Sequence, residues 1–285
     1  MSFSELIQVT LLAVIQGIAE FLPISSSGHL VVLGKVFERW FGDPADGPRE
    51  NIVLNLTLHL GTLAAILVVY RRDLWGIWRR PRLCLAVVLA TIPAVVAGVV
   101  LKKYIEATFE MPLVVACGWL VTAGLLSIGQ RVGHGHKTLD EITAKDAIII
   151  GCFQAVSALF RGVSRSGSTI AGGLLNGASR EAAAGFSFLM AIPVIVGAAV
   201  LEAGVPLLKA YRRGESLSET ATGMLGGYSP WALLLGGLIS FVVGWVSLRW
   251  LIRIIVQRGL NWFVWYVLAA SALTFLWQGY EHFVK

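Results

Sequence analysis

Six long apolar stretches run along this chain, and each is long enough to cross a bilayer as a helix, which needs roughly 20 mostly apolar residues. In chain order they are residues 51–70, 83–101, 113–129, 181–203, 230–252 and 260–280. Hydrophobic residues make up 56% of the 285 residues and charged residues only 14%, and the mean hydropathy is +0.74. The pattern therefore predicts an all-α polytopic membrane protein, with residues 1–285 forming a single integral membrane domain.

Two further apolar regions are interrupted before they are long enough to span the bilayer. Residues 5–22 and 30–37 flank a turn rich in Pro, Ser and Gly, and residues 147–160 precede a second break, after which a short helix ends near residue 178. Non-helical backbone at membrane depth is tolerated only where protein or a wet cavity covers it. Each region is therefore predicted to form a re-entrant helical hairpin.

The two breaks resemble each other. When Gln16 is aligned with Gln154 and Gly162 is allowed as an insertion, Ser25, Ser27 and Gly28 coincide with Ser164, Ser166 and Gly167. Each half, residues 1–129 and residues 147–285, then consists of one hairpin and three spans. The arginine-rich segment 71–82 is expected on the cytoplasmic side, which gives the halves opposite orientations. This is an inverted-topology repeat, whose broken segments typically meet near the midplane.

The first break combines an acid, hydroxyls and an imidazole. Gln16 and Glu20 are four residues apart and share a helix face. Their oxygen atoms suit a hard divalent cation such as Mg²⁺ or Ca²⁺, although a structural polar pair is the simpler alternative. A serine becomes a nucleophile when a base lies beside it, and Ser26 has both Glu20 and His29 nearby in sequence. Ser25 or Ser27 is expected to cap the following helix.

The second break predicts an anion cradle. Glycines at 162 and 167 allow close approach of the backbone, and a helix that starts after the break points its N–H groups at a ligand. Arg165 offers a planar fork for phosphate oxygens, and it could also serve as an internal counter-ion for Glu20. The hydroxyls of Ser164, Ser166 and Thr169 lie in the same segment.

Other polar and reactive residues are given simpler interpretations. His59, in the middle of a span, is expected to pack or to link helices. His134 and its neighbour His136 are expected in a solvated loop, and the three cysteines as core thiols. The net charge of +6 comes from basic residues beside apolar spans, so nucleic-acid binding is not expected. The N-terminus lacks the features of a cleaved signal peptide.

These motifs resemble those of the undecaprenyl-diphosphate phosphatase family, the BacA type linked to bacitracin resistance. The family's Glu/Gln-Gly-x-x-Glu and Phe-Leu-Pro-(Val/Ile)-Ser-Ser-x-Gly-His pattern matches residues 16–29. Its Pro-Gly-x-Ser-Arg-Ser-Gly-x-Thr pattern matches residues 161–169, and residues 185–193 also agree. Arg161 stands where the family usually has proline.

The resemblance implies hydrolysis of undecaprenyl diphosphate to undecaprenyl phosphate and phosphate. It also implies recycling of the peptidoglycan lipid carrier, a divalent cation and an active site that faces the periplasm from the bacterial inner membrane. Bacitracin would compete indirectly by binding the lipid substrate, and a homodimer is an open alternative. The implied site comprises four catalytic residues, Glu20, Ser26, His29 and Arg165; seven substrate-binding residues, Ser25, Ser27, Gly162, Ser164, Ser166, Gly167 and Thr169; and two metal ligands, Gln16 and Glu20.

A transporter is the competing interpretation. Inverted repeats with broken helices are also a transporter plan, and an anion carrier or a polyprenyl-phosphate flippase would use the same arginine and helix ends. A carrier would not require a hydroxyl beside a histidine and an acid. The sequence also leaves open whether Ser26 or His29 attacks phosphorus.

Overall fold

The computed structural model describes residues 3–41, 52–101 and 111–284, and within these ranges the chain is helical with no strand. The α-helices of the described ranges are α1 (Phe3–Ala19), α2 (Ser26–Phe41), α3 (Ile52–Val69), α4 (Arg71–Gly76), α5 (Pro81–Val100), α6 (Pro112–Val132), α7 (Ala144–Leu159), α8 (Arg165–Leu175), α9 (Arg180–Ala199), α10 (Val205–Arg212), α11 (Leu217–Met224), α12 (Pro230–Arg258) and α13 (Asn261–Val284).

Helix starts follow local sequence signals. Pro81, Pro112 and Pro230 each lie in the first turn of a helix, where a missing N–H costs no intrahelical bond. At the start of α7, Thr143 and Asp146 form a reciprocal capping box. These caps set where the apolar segments begin.

Four helices within the described residues are long and apolar enough to cross a membrane: Pro81–Val100, Pro112–Val132, Arg180–Arg212 and Pro230–Arg258. The third of these continues from α9 through a π-helical turn, Val200–Gly204, into α10. A fifth span is formed if Val53–Val69 and Arg71–Arg79, which meet at a 68° bend, are counted together. The chain is therefore a multi-pass membrane protein, as predicted. The sixth expected span corresponds to α13, a 24-residue helix that is not among these candidates.

The two interrupted regions fold as pairs of short helices. The first pair is α1 and α2, separated by residues 20–25, and the second is α7 and α8, separated by residues 160–164. Helix α8 lies at the centre of the fold, because nine of its eleven residues are buried. It packs against α6, α7 and α9.

The longer helices enclose these pairs. Helix α12 packs against α1 and α3, α5 packs against α7 and α9, and α13 packs against α6. Large apolar side chains remain exposed on the outer helices, as on Val99, Leu234 and Leu276. Such an apolar exterior suits a protein surrounded by lipid.

Candidate functional site

The first break is a compact turn held by its own side chains and by α6. Ser25 adopts a left-handed backbone with φ of 70°, a conformation that is uncommon for residues other than glycine. Its Oγ accepts a hydrogen bond from the Gly28 backbone N–H at 3.3 Å, so Ser25 caps α2. The indole of Trp119 donates to the Ile24 carbonyl at 2.8 Å. The expectation that Ser25 or Ser27 is the cap is confirmed for Ser25.

The second break is fixed in a similar way. Ser164 Oγ accepts from the Gly167 N–H at 3.1 Å and caps α8. The Thr122 hydroxyl donates to the Gly162 carbonyl at 3.0 Å and accepts from the Ser164 N–H at 2.9 Å. Gly162 has φ of +90°, and a Cβ there would overlap the Val115 carbonyl. This position therefore requires glycine.

The tips of the two breaks meet. The Arg165 guanidinium forms an ion pair with the Glu20 carboxylate, although 145 residues separate them in sequence. Ser166 Oγ donates to the Leu22 carbonyl at 3.1 Å. Both contacts join the α7–α8 pair to the α1–α2 pair.

Glu20 is the centre of this junction. It is buried, and its Oε2 accepts from Gln16 Nε2 at 3.0 Å and from Ser26 Oγ at 2.8 Å. His59 Nε2 lies 3.6 Å from the same oxygen, while Arg165 binds the other. A buried carboxylate is tolerated when it is paired and accepts hydrogen bonds in this way.

A cavity of about 70 Å³ opens between the two tips. Its lining residues are Ala19, Glu20, Ser25, Ser26, Ser27, Ser157, Val163, Ser164, Arg165 and Ser166. Ser26 and Arg165 are the first residues of α2 and α8, so two helix N-termini converge here. Unpaired first-turn N–H groups and the helix dipole favour an anion at such a point.

Arg165 retains capacity for a ligand. Its Nη1 is buried and has no hydrogen-bond partner among the described residues, while its Nη2 is occupied by Glu20. A buried donor without an acceptor is costly. An anion in the cavity would satisfy this donor, as expected for a phosphate-binding arginine.

His29 lies next to this cluster but is not hydrogen-bonded to Ser26 or Glu20. Its Nδ1 lies 2.7 Å from the Ser25 carbonyl oxygen and its Nε2 lies 2.8 Å from the Tyr266 hydroxyl. Of the two bases considered for Ser26, only Glu20 is in contact with it in this arrangement.

The remaining predicted residues occupy different places. Ser27 and Ser166 line the cavity, and their hydroxyls lie 3.4 Å and 3.2 Å from Ser25 Oγ and Ser164 Oγ. Thr169 Oγ1 instead donates to the Arg165 carbonyl at 2.8 Å and lies 2.6 Å from the Ser187 hydroxyl. Thr169 therefore supports α8 from behind, whereas the serines face the cavity.

Sequence reasoning missed three residues of the site. His59 was expected only to pack or link helices, yet it contacts the central carboxylate. Thr122, on α6, holds the second break. Tyr266, on α13, holds His29. All three are distant in sequence from the residues they contact. The mid-span position of His59, one turn after Asn55 on an apolar helix, was the only available indication.

The oxygen donors of Gln16 and Glu20 fit a hard cation in chemical type. Gln16 Oε1 is buried and has no partner in the described part of the chain. Within those ranges, however, no group of three His, Cys, Asp or Glu side chains could hold a metal ion. A cation bound here would need further ligands from a substrate.

The fold and the site define a multi-pass membrane protein with an acid, a serine hydroxyl and an arginine around a polar cavity. Comparison with known proteins identifies the family within this class. The family model described as "Bacitracin resistance protein BacA" matches residues 9–273. The chain therefore belongs to the BacA family, a family of phosphatases.

Similar proteins from different bacteria are consistent with this family assignment. A protein of Rhodopirellula baltica named undecaprenyl-diphosphatase is 40% identical over 273 residues, which cover 95% of this chain and 98% of the relative. A protein of Carboxydothermus hydrogenoformans with the same name is 34% identical and covers 91% and 92% of the two chains. One from Renibacterium salmoninarum, again with that name, is 35% identical over 97% of both.

Proposed function

We propose that this chain hydrolyses undecaprenyl diphosphate to undecaprenyl phosphate and inorganic phosphate. The observation that carries the proposal is the junction of Glu20, Ser26 and Arg165, where a hydroxyl donates to a buried carboxylate beside a guanidinium with a free buried N–H. The names of the relatives support the same substrate.

The membrane position of the site suits a lipid substrate. Moving a long polyprenyl chain out of the bilayer costs about 0.8 kcal/mol per CH₂. The enzyme must therefore offer polar chemistry inside or beside the membrane. The cavity between the two breaks does so, with apolar helices around it.

Ser26 is the proposed nucleophile. Its Oγ attacks the terminal phosphorus while its proton passes to Glu20, with which it is already hydrogen-bonded at 2.8 Å. The bond from that phosphorus to the bridging oxygen breaks, and undecaprenyl phosphate leaves with the electron pair. Arg165 and the N-termini of α2 and α8 stabilise the charge that develops on the phosphoryl oxygens.

Water then releases the phosphoryl group. Its oxygen attacks the phosphoserine phosphorus, the bond to Ser26 Oγ breaks, and the proton held on Glu20 returns to the serine. The water gives its own proton to His29 Nε2 or directly to the phosphate. Inorganic phosphate departs, His29 gives any proton that it took to the departing phosphate or to solvent, and the site returns to its starting state.

A divalent cation, Mg²⁺ or Ca²⁺, is part of the proposal. Gln16 and Glu20 would hold it through oxygen atoms, and the diphosphate would supply the remaining ligands. A bound cation would neutralise charge on the diphosphate as it is transferred. The residues of the chain would still bind the phosphates and activate Ser26.

The proposed topology is an inverted repeat. If α1, α3 and α5 correspond to α7, α9 and α12, then the packing of α12 on α1 and α3 mirrors the packing of α5 on α7 and α9. A two-fold relation between residues 1–129 and 147–285 would produce this mirrored packing. The packing therefore supports the proposal of two re-entrant hairpins that enter the membrane from opposite faces.

A cellular role is proposed together with this topology. In the inner membrane of a bacterium, with the cavity open to the periplasm, the enzyme would recycle the lipid carrier of peptidoglycan precursors. It would also lower the amount of diphosphate lipid that bacitracin binds, and so confer resistance.

Orientation can be tested with single cysteines at positions 45 and 76 after Cys84, Cys117 and Cys152 are replaced. In intact cells an impermeant thiol reagent should label position 45 and not position 76. Labelling of position 76 alone would contradict the proposed orientation.

The activity is tested with purified protein in detergent. Phosphate release from a polyprenyl diphosphate is measured with and without Mg²⁺ or Ca²⁺, and Ser26→Ala is compared with Ser218→Ala, an exposed serine of α11. We expect cation-dependent release that Ser26→Ala abolishes and Ser218→Ala leaves intact. Cleavage needs no compartments, so lipid translocation in vesicles without any hydrolysis would favour the transporter instead.

A further inference from the structure

Tyr266 of α13 contacts His29 through both its hydroxyl group and its ring. The Tyr266 hydroxyl lies 2.8 Å from His29 Nε2, and the two rings stack with centroids 5.7 Å apart and an angle of 15° between their planes. The Trp119 ring lies 5.0 Å from the imidazole at an angle of 60°. His29 is therefore held by two rings as well as by its hydrogen bonds.

These contacts determine where the proton of the neutral ring lies. A carbonyl oxygen only accepts, so the 2.7 Å contact with the Ser25 carbonyl places the proton on Nδ1. Nε2 is then the acceptor, and the Tyr266 hydroxyl donates to it. The lone pair that a catalytic histidine would use is thus directed toward Tyr266.

Tyr266 also lies at the lipid-facing edge of the molecule. Its side chain is 47% exposed, and its neighbours Trp262 and Trp265 on α13 are more exposed still. His29 lies in the first turn of α2, close in sequence to Ser25, Ser26 and Ser27, which line the cavity.

We propose that Tyr266 is a positioning residue that orients the imidazole of His29 through a hydrogen bond to its unprotonated Nε2, next to the cavity that Ser25, Ser26 and Ser27 line. This role rests on the proposed phosphatase function, in which His29 accepts a proton from water. Tyr266 does not itself take part in bond making or breaking. When the substrate binds, the water or phosphate oxygen replaces the tyrosine hydroxyl at Nε2.

The test removes only the hydroxyl. Tyr266→Phe keeps the stacked ring, and Tyr280→Phe is the matched control, because Tyr280 is an exposed tyrosine further along α13. With polyprenyl diphosphate as substrate we expect kcat of Tyr266→Phe to fall about tenfold with KM nearly unchanged, since positioning residues act on the catalytic step. Tyr280→Phe should match the wild type.

Two further measurements separate positioning from a general structural effect. In protein labelled with nitrogen-15 histidine, the wild-type His29 signals should show a protonated Nδ1 and an unprotonated Nε2 that accepts a hydrogen bond. Tyr266→Phe should shift the Nε2 signal, because that hydrogen bond is lost, while Nδ1 stays protonated. In a His29→Ala background, Tyr266→Phe should cause no additional loss, because its effect passes through the imidazole.

The outcomes are distinct. Absence of hydrolysis by the wild type would refute the proposed function, and the tautomer of His29 would still be measurable. If the wild type is active, an unchanged kcat or an unchanged Nε2 signal in Tyr266→Phe overturns the role of Tyr266. Equal losses in the presence and absence of His29 also overturn it.

Discussion

Replacing Glu20 by glutamine tests the centre of the proposed mechanism. Glutamine keeps the shape of the side chain and still accepts a hydrogen bond through its carbonyl oxygen. It removes the charge that pairs with Arg165 and the group that would take the proton of Ser26. The substitution therefore separates the chemistry of the carboxylate from its packing.

Both activity and stability should fall, for different reasons. A general base contributes about 10²- to 10⁴-fold to the rate, so we expect turnover to drop by at least 10²-fold. The side chains of Glu20 and Arg165 are only 7% and 18% exposed, and removing one partner of a buried pair costs about 3–5 kcal/mol. Because glutamine retains a carbonyl oxygen, the loss in the free energy of unfolding should lie near the lower end of this range.

The assay is phosphate release from a polyprenyl diphosphate, followed alongside thermal unfolding in the same detergent. Asp73→Asn is the matched control, because Asp73 pairs with Arg80 at 3.4 Å and both side chains are 35–40% exposed. Such a surface pair contributes about 0–1 kcal/mol, and it is remote from the cavity. Wild-type turnover in Glu20→Gln would remove the carboxylate from the mechanism.

Three further predictions concern the same site and its surroundings. Arg165→Ala should reduce turnover by at least about 10²-fold, because transition-state charge loses its stabilisation, and Arg165→Lys should restore part of it; equal activity of the two variants would show that charge is unimportant. Gly162→Ala should lower the free energy of unfolding by at least about 1–3 kcal/mol, since alanine strains a backbone with φ of +90°; an unchanged denaturation midpoint would contradict this. His134→Ala should leave turnover unchanged, and a tenfold loss would implicate that loop.

The sequence predicted the helices and their breaks because both depend on local signals. Pro23 and the serines that follow it end α1, and Gly162 and Ser164 do the same between α7 and α8. The pairing of Glu20 with Arg165 could also be anticipated, since both charges lie in apolar sequence and need partners. The need of each charge in apolar surroundings for a partner explains why the central junction was foreseeable.

Contacts made by single side chains from distant helices could not be foreseen. His59 approaches Glu20 only because α3 packs beside α1, and Tyr266 reaches His29 across 237 residues of sequence. Some helix ends also differ from the predicted ones. Helix α12 continues to Arg258, six residues beyond the apolar stretch that ends at 252, because long basic side chains can extend away from an apolar surface.

The dependence of each break on the other has a consequence for biogenesis. Glu20 is synthesised 145 residues before Arg165, so the nascent chain must carry its acidic side chain through insertion without its eventual basic neighbour. If both residues act in the proposed reaction, the growing polypeptide cannot carry it out until translation has passed Arg165. On the proposed mechanism, premature termination anywhere before α8 would yield a fragment that is catalytically silent.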